Sequence, residues 1–345
     1  MGGNALKNTE TRRFDRAEYL VLSAEILDRL RRLFPLARVA EIPSYASKPD
    51  FGDMDVVLCS GTLPSNWVER VLAEFTPNEL VSNGNIKSFD VAGLQVDLIV
   101  VPVAEFDFTL AYFAYNDLGN LMGRVAHKLG FKYGHAGLVY VFRDSPPGAP
   151  SQTDPTFREI LISRDLPAVF AYLGYDHDRY LEGFEDLESI FDYTVSTPYF
   201  NKSIFLLENR NSISRRRDSK RRTYNAFLKW LDTCGREFPE YRFPENKADN
   251  LASAFRAFPG FEREFRRAEA DLERRRAFRS RFNGDVLGEV SGLSGQALGE
   301  FIAAFRKSFG DEETLVSRVL ESGEGFVAQQ AASFLAEYQP HAGVC

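Results

Sequence analysis

Two carboxylates stand two residues apart at the start of an apolar stretch, in the sequence Gly-Asp-Met-Asp-Val-Val-Leu of residues 52–58. Successive side chains of a β-strand point to opposite faces, so Asp53 and Asp55 would leave the same face. A third carboxylate, Asp97, interrupts a second apolar stretch over residues 94–102. If the two stretches are neighbouring strands, all three carboxylates meet at one place. The fold is then constrained to a sheet that contains both.

Three carboxylates at one site repel each other strongly unless a cation lies between them. Oxygen ligands suit Mg²⁺ or Mn²⁺, and two such ions can hold the attacking and the leaving oxygen of a phosphoryl transfer. A lone Asp-x-Asp is often only a solvated turn, and that interpretation stays open here. The acid inside the second apolar stretch favours a metal site, because an unpaired buried carboxylate is costly. We therefore predict a site for two Mg²⁺ or Mn²⁺ ions.

This pattern of two acids before three aliphatic residues, then an acid in a strand ending Ile-Val-Val-Pro, resembles the palm of DNA polymerase beta and its relatives, the family X polymerases. These polymerases belong to the nucleotidyltransferase superfamily. The stretch Tyr-Phe-Ala-Tyr-Asn-Asp-Leu-Gly-Asn of residues 112–120 is similar to the nucleotide-binding helix of that family. Residues 129–138 look like the first hairpin of its thumb. The resemblance covers about residues 40–200.

The resemblance implies roles for individual residues. Asp53, Asp55 and Asp97 would be the metal ligands and catalytic residues, and Asp97 would also activate the primer 3′-hydroxyl. The implied nucleotide contacts are Ser44 at the triphosphate, Tyr112 and Phe113 beside the sugar, and Asp117 and Asn120 facing the incoming base. The alternative for each of these is a packed or surface residue, and for Phe113 the apolar core is favoured.

The chain departs from the family at the turn that holds the triphosphate. The family has Gly-Ser there, whereas this chain has proline before Ser44, and proline offers no backbone N–H. The family's paired arginines are absent, and Lys48 is expected to supply positive charge instead. Residues 114–115 are Ala-Tyr where the family has Thr-Gly. Because a Cβ alters the path that glycine allows, we expect weaker exclusion of ribose than in the repair polymerases.

Charge is distributed unevenly along the chain. Residues 201–290 carry 21 Lys and Arg against 14 Asp and Glu, while the remainder has 21 against 35. Six of the eight residues from 215 to 222 are basic, which indicates either a solvated helix face or a surface for nucleic-acid phosphate. The resemblance adds an arginine near the templating strand. The predicted nucleic-acid-binding residues are Arg124, Arg215, Arg216, Arg217, Arg221 and Arg222.

These patterns predict an α+β protein: a polymerase beta-like nucleotidyltransferase palm, a small α/β thumb-like domain and a helical C-terminal region. No apolar stretch is long enough for a transmembrane helix, and the start lacks the apolar core of a signal peptide. Three scattered cysteines suggest no disulfide-linked partner and favour a cytoplasmic protein. The predicted domains are a flexible tail over 1–16, the palm over 17–102, a thumb-like nucleotide-binding domain over 103–200 and a basic helical C-terminal domain over 201–345.

The predicted activity is Mg²⁺-dependent transfer of a nucleoside monophosphate from an NTP or dNTP to a nucleic-acid 3′-hydroxyl, DNA or RNA. Three short stretches within residues 282–299 faintly resemble the tail of bacterial tRNA CCA-adding enzymes and poly(A) polymerases, which would favour an RNA or tRNA end. A nucleotidyltransferase that modifies a protein or a small molecule, of the toxin or antibiotic-modifying type, is the other alternative. A non-enzymatic nucleic-acid-binding protein on an inactive palm is disfavoured, because all three acids are present.

Overall fold

The computed structural model describes residues 5–145, 154–245 and 248–338. The chain divides into two compact units. Unit 1 comprises Met1–Val141 and Glu159–Phe261, and unit 2 comprises Phe142–Arg158 and Glu262–Cys345. The domain boundaries predicted after residues 102 and 200 both fall inside unit 1.

Unit 1 opens with a mixed α and β region that contains the three aspartates. Its elements are β1 (Phe14–Asp15), α1 (Arg16–Leu33), β2 (Val39–Glu41), β3 (Asp50–Phe51), β4 (Asp53–Cys59), α2 (Trp67–Phe75), β5 (Leu80–Asn83), β6 (Ile86–Val91) and β7 (Leu94–Val101). Five strands form one sheet in the order β2-β4-β7-β6-β5. β4 and β7 run parallel, and the other neighbours are antiparallel. β1 pairs separately with β3.

The alternation of side chains along β4 gives the sheet two different faces. Met54, Val56 and Leu58 are fully buried in one hydrophobic cluster with residues of α1 and α2. Val57 lies on the opposite face, in a second cluster that includes Phe106. Asp53 and Asp55 share the face of Val57, because strand side chains alternate with a period of two. The two carboxylates therefore lie on the same face of the sheet as Val57, nearer the start of β4.

The segment before β1 is held along the sheet, in contrast to the flexible tail predicted for residues 1–16. The Ala5 backbone N–H donates to Gln95 Oε1 at 2.9 Å, and Arg12 N–H donates to the Gly93 carbonyl at 3.0 Å. The Glu79 carboxylate accepts from the backbone N–H groups of residues 7–9. These partners are 70 or more residues away in sequence, so local polarity did not reveal them. Residues 1–4 lie outside the described part.

The chain then becomes largely helical. The next elements are α3 (Phe106–Phe113), α4 (Leu118–Lys128), β8 (Lys132–Gly134), β9 (Gly137–Arg143), β10 (Thr156–Ser163), α5 (Leu166–Tyr172), α6 (His177–Leu181), α7 (Leu187–Val195), α8 (Ser212–Asp218), α9 (Arg222–Thr233) and α10 (Ala248–Ala257). β10, β9 and β8 form a three-stranded sheet in that order. The connection around Asn116 separates α3, which ends at Phe113, from α4, which begins at Leu118.

Unit 2 contains mostly helices in its described part. They are α11 (Phe261–Arg281, whose first residue belongs to unit 1), α12 (Gly284–Ser291), α13 (Gly295–Lys307), α14 (Glu312–Glu321) and α15 (Phe326–Glu337). Phe301, Phe305 and Leu315 lie at the centre of its core. The α+β class with a helical C-terminal region is thereby confirmed at this coarse level. Among the described residues, no helix combines the length and apolarity that crossing a bilayer requires.

Candidate metal centre

The three aspartates meet on two adjacent parallel strands. The register of β4 on β7 places Asp55 opposite Asp97 and Asp53 opposite Gln95. One carboxylate oxygen from each aspartate lies within 4.8 Å of the other two, and all three residues are partly buried. The strand pairing predicted from the two apolar stretches is therefore confirmed. The donor set consists of oxygen atoms alone, which fits Mg²⁺ or Mn²⁺.

Asp97 is oriented by neighbours on its own strand and on β6. Ala92 and Gly93, both with positive φ (50° and 83°), form the two-residue turn between β6 and β7. This register puts Ser88 opposite Asp97, and the Ser88 hydroxyl hydrogen-bonds to the carboxylate. Gln95 Nε2 donates to both carboxylate oxygens at 3.0 Å. Asp97 is thus held in one orientation by neutral donors that add no positive charge.

The electrostatics of the cluster favour a bound cation. Burial, reinforced by the negative charges of Asp53 and Asp97, raises the pKa of Asp55 to about 8. Burial also raises the pKa of Asp97 and of nearby Glu41. Burial lowers the pKa of Lys48. The negative charges of nearby Asp53 and Asp55 act in the opposite direction and favour the protonated lysine. One lysine does not balance this many carboxylates, so a divalent ion would stabilise their ionised forms.

The turn that carries Ser44 is fixed between the carboxylate strand and the α3–α4 connection. Ile42 N–H donates to the Asp55 carbonyl at 2.9 Å, and the Pro43 carbonyl accepts from Tyr115 N–H at 2.8 Å. Since consecutive Cα atoms are about 3.8 Å apart, these two bonds bring the connection close to the carboxylate strand. Ser44 is partly buried beside them. The predicted triphosphate turn therefore lies next to the carboxylates.

The other end of this turn is tied to the loop after α6. Ala46 N–H donates to the Phe184 carbonyl at 2.8 Å, and Ser47 N–H donates to the Glu185 carbonyl at 2.7 Å. Lys48 Nζ lies 4.3 Å from the centroid of the Phe51 ring, which covers part of its stem. The lysine is thus held at the edge of the carboxylate cluster, where the sequence led us to expect a positive charge.

Tyr112 and Phe113 end α3 in different environments. The Tyr112 ring is half-buried, with its centroid 5.6 Å from that of Tyr133. Phe113, for which the sequence favoured the core, is instead 36% exposed and lies parallel to the ring of His135 at 6.1 Å. The ring of Phe113 is therefore accessible from solvent rather than part of the core.

The connection between α3 and α4 has an unusual backbone. Tyr115 and Asn116 have φ values of 55° and 62°, in the left-handed region that favours glycine. Tyr115 is held there by burial of its ring against Phe184, with centroids 4.8 Å apart. Gly119 allows α4 to close on this connection, because a Cβ there would lie 2.0 Å from the Tyr112 carbonyl oxygen. The chain thus makes a tight turn without the glycine of the family.

The two residues expected to face the incoming base differ in their partners. Asp117 forms an ion pair with Arg221, so its carboxylate already has a partner within the protein. Within the described chain, Asn120 Nδ2 is buried and has no hydrogen-bond partner. A buried amide without a partner costs free energy, which makes Asn120 the better candidate for a ligand contact. The base-facing role of both residues stays a prediction.

The predicted basic surface contains a buried cluster centred on one aspartate. Asp218 is fully buried and lies 2.5 Å from Arg210, 3.1 Å from Arg217 and 3.8 Å from Arg221, measured between nitrogen and oxygen atoms. Arg221 also reaches Asp117, 104 residues away in sequence. One arginine of the basic run, Arg221, therefore joins Asp218 at the end of α8 to Asp117 just before α4.

The remaining predicted arginines fall into two groups. Arg124 donates to the Ile204 carbonyl at 3.2 Å, and burial lowers its pKa to about 10. Arg215 donates to three backbone carbonyls that precede α8. Arg216 and Arg222 are exposed and form no ion pair within the described ranges. Together with the exposed Lys220 of the same run, these two arginines are accessible to nucleic-acid phosphate.

Sequence reasoning did not identify several residues that shape the site. Glu41 ends β2 and accepts from the Tyr19 hydroxyl at 2.5 Å, and its apolar surroundings gave no signal of this. Ser88 could have been found, because a two-residue turn after residue 91 fixes it opposite Asp97. Asp218 was visible as the one acid inside a basic run, which is a signal of charge pairing.

No protein-family model matches this chain, and no curated protein matches it at a significant level. The mixed five-stranded sheet with its three-aspartate cluster is compatible with a polymerase beta-like palm without proving one.

Proposed function

We propose that this protein is a Mg²⁺- or Mn²⁺-dependent nucleotidyltransferase that transfers a nucleoside monophosphate from an NTP or dNTP to the 3′-hydroxyl of a nucleic acid. One observation carries the proposal. Three aspartate oxygens from two adjacent parallel strands lie within 4.8 Å of each other, on a face where other charges do not balance them. A pair of divalent ions is the ligand that such a donor set suits best.

The metal ions would be held by Asp53, Asp55 and Asp97, and would supply charge stabilisation for the in-line displacement at the α-phosphate. Asp97 would accept the proton of the attacking 3′-hydroxyl. The raised pKa of Asp97 makes it a better base than an exposed aspartate. Hydrogen bonds from Gln95 and Ser88 hold its carboxylate in one orientation.

The triphosphate would lie along the turn that follows β2. Ser44 offers a hydroxyl donor there, and Lys48 offers a positive charge beside Asp53 and Asp55. The exposed Phe113 ring and the half-buried Tyr112 would lie against the sugar. These assignments are supported by hydrogen bonds that join the turn to both the carboxylate strand and the α3–α4 connection.

We expect the α3–α4 connection to weaken the exclusion of ribonucleotides. Tyr115 and Asn116 occupy left-handed backbone conformations with side chains attached, so this path is set by packing rather than by glycine. Discrimination against a 2′-hydroxyl depends on one close contact, which a small displacement removes. ATP or CTP should then compete measurably with the matching deoxynucleotide.

The test is a transfer assay with the purified protein, labelled NTPs and dNTPs, Mg²⁺ or Mn²⁺, and a panel of DNA and RNA ends. The same panel includes protein and small-molecule acceptors, so that it decides between the alternatives. Asp53→Ala and Asp55→Ala should each lose roughly a thousandfold in rate, because a bound metal supplies several kcal/mol of transition-state stabilisation.

The matched control is Asp107→Ala, which removes an exposed carboxylate of the same unit that pairs with Arg38. It should transfer at the wild-type rate. Retention of near wild-type transfer by Asp53→Ala or Asp55→Ala would remove the proposed function. Transfer only to a protein or small molecule would replace it by the alternative.

A further inference from the structure

Unit 2 carries its own excess of positive charge on the second half of α11. Between residues 274 and 281 this helix has five arginines and no carboxylate. Arg281 has a structural role, because it donates to three backbone carbonyls at the end of α14. Of the other four, Arg276 donates to the Arg143 and Ser145 carbonyls, and Arg274 donates to the Ser317 hydroxyl. Within the described part of unit 2, the side chains that form or adjoin this charge network are Arg158, Arg274, Arg275, Arg276, Arg279 and Arg306, with the carboxylates Asp144, Asp271 and Glu312.

The charges are not balanced. Asp144 alone is shared by three arginines, at 3.8 Å from Arg275, at 3.4 Å from Arg276 and in a closer pair with Arg279. The Asp144 side chain is 14% exposed, whereas the Arg275 and Arg279 side chains are 48% and 51% exposed. Each guanidinium has five N–H donors. The partly buried Asp144 cannot occupy all the donors of three arginines, although Arg276 also donates to the Arg143 and Ser145 carbonyls. The exposed guanidinium groups of Arg275 and Arg279 lie where an anion from solvent can reach them.

Part of this charge network lines a cleft of about 570 Å³ between α11 and the helices that follow it. Arg274, Arg275, Arg279 and Arg306 surround the cleft, and Phe278 contributes an apolar surface to it. The volume exceeds what one phosphate group needs and corresponds to a ligand with several groups.

Flat rings and guanidinium planes adjoin the charges. The Phe278 and Phe282 rings lie parallel with centroids 5.2 Å apart, and Phe278 is only partly buried. The Arg306 guanidinium lies 5.8 Å from the Phe282 centroid, and Arg275 lies 5.5 Å from that of Phe157. Proteins that hold single strands combine positive charge for the backbone with flat groups on which unpaired bases stack.

We propose that this cleft of unit 2 binds single-stranded nucleic acid, with the guanidinium groups on its phosphates and the Phe278 ring beneath a base. That the bound strand is the acceptor of the transfer reaction rests on the proposed function. The binding itself does not, because every residue of the cleft lies outside the carboxylate site.

The first half of α11 provides a matched control. Arg263, Arg266 and Arg267 are exposed on the same helix but do not line the cleft. Arg263 and Arg266 pair with glutamates of their own helix, so their charges are locally compensated. A triple substitution there changes the net charge of the protein by the same amount as one in the cleft.

The experiment measures binding of a fluorescein-labelled 12-nucleotide single strand, DNA and RNA separately, to the full chain in EDTA without nucleotide. The cleft variant is Arg274→Gln/Arg275→Gln/Arg279→Gln, and the control is Arg263→Gln/Arg266→Gln/Arg267→Gln. The cleft variant should bind at least about tenfold more weakly, and its log–log salt slope should fall by about 2, since each lost phosphate contact on a single strand removes about 0.7. The control should stay within about twofold of wild type.

A second variant isolates the stacked base. Phe278→Leu keeps an apolar side chain, and should weaken binding of an ordinary strand while leaving an abasic strand unaffected. Equal losses in the cleft and control variants, or unchanged affinity of the cleft variant, would overturn the proposal. A wild-type protein that binds the strand but transfers nothing would defeat the proposed function alone. An active enzyme whose cleft variant binds normally would defeat this inference alone.

Discussion

Two clusters of like charge in unit 1 differ in how far the protein itself balances them. In one, the carboxylates of Asp53, Asp55 and Asp97 surround a site whose nearby positive charge includes Lys48. In the other, Arg210, Arg217 and Arg221 surround the buried carboxylate of Asp218. Both concentrate three like charges, and both are at least partly buried.

The arginine cluster finds further partners within the fold. Arg210 also donates to the Tyr224 hydroxyl at 2.9 Å, and Arg221 also pairs with Asp117. The aspartate cluster receives neutral donors from Gln95, while burial raises the pKa of Asp55 to about 8. A like-charge cluster that the protein balances has its charges compensated within the fold, and removing one buried partner is destabilising. One that it leaves unbalanced is suited to a ligand of opposite charge.

The largest expected effect separates binding from chemistry in the aspartate cluster. Asp97→Asn should keep nucleotide binding within several-fold and lose about 10²–10⁴-fold in turnover, because an amide cannot accept the hydroxyl proton and a general base contributes that much. Mg²⁺-dependent binding of a fluorescent nucleotide and single-turnover transfer measure the two quantities. Equal losses of both would make Asp97 a structural metal ligand only.

The next effect concerns stability and the arginine cluster. Asp218→Ala should lower the free energy of unfolding by about 3–5 kcal/mol, because it leaves the buried guanidinium of Arg210 without its carboxylate. Urea unfolding followed by circular dichroism measures the change. Asp232→Ala is the control, since Asp232 is 65% exposed, pairs with Lys202 and should cost under about 1 kcal/mol. If Asp218→Ala lowered the free energy of unfolding no more than Asp232→Ala does, the protein would not depend on Asp218 to balance the arginine cluster.

The pH dependence of stability gives a third comparison. An unfolded aspartate ionises near pH 4, whereas burial holds the pKa of Asp55 at about 8 in the fold. Between these values the folded protein binds the extra proton, so its free energy of unfolding should fall as pH rises, by at most about 1.4 kcal/mol per pH unit for one group.

Thermal unfolding in EDTA between pH 5 and pH 8 measures this loss. Asp55→Asn should make the fall in unfolding free energy with pH less steep. The raised pKa of Asp97 contributes a pH dependence of the same sign. Mg²⁺ or Mn²⁺ should restore stability at pH 8, because the ion favours the ionised carboxylates. A wild-type slope in Asp55→Asn, or no stabilisation by either metal, would contradict the assigned electrostatics.

The smallest effect concerns the two exposed arginines outside the cluster. Arg216→Gln and Arg222→Gln should leave stability unchanged and each reduce the salt slope of single-strand binding by about 0.7. Lys229→Gln, another exposed cation of α9, is the control and should leave the slope unchanged. Arg215→Gln should instead lower stability, because that side chain binds backbone carbonyls. An unchanged slope would mean that Arg216 and Arg222 are only a solvated face.

The local sequence pattern was sufficient to predict that the three aspartates lie together. The spacing of Asp53 and Asp55 fixes a shared strand face, and the turn at Ala92–Gly93 fixes the register that orients Asp97. These features depend on periods of two residues and on short turns, which a sequence displays directly. The bound segment before β1 did not follow from such patterns, because its partners lie 70 or more residues away in sequence.

The tertiary structure alone decided which charges are free. Arg217 and Arg216 are adjacent in sequence, yet the first pairs with a buried carboxylate and the second has no ion pair within the described chain. The pairing of Arg221 with Asp117 joins residues 104 positions apart. Side-chain charge interactions act through space and depend on burial, so composition shows that a segment is basic but not which of its arginines a ligand can reach.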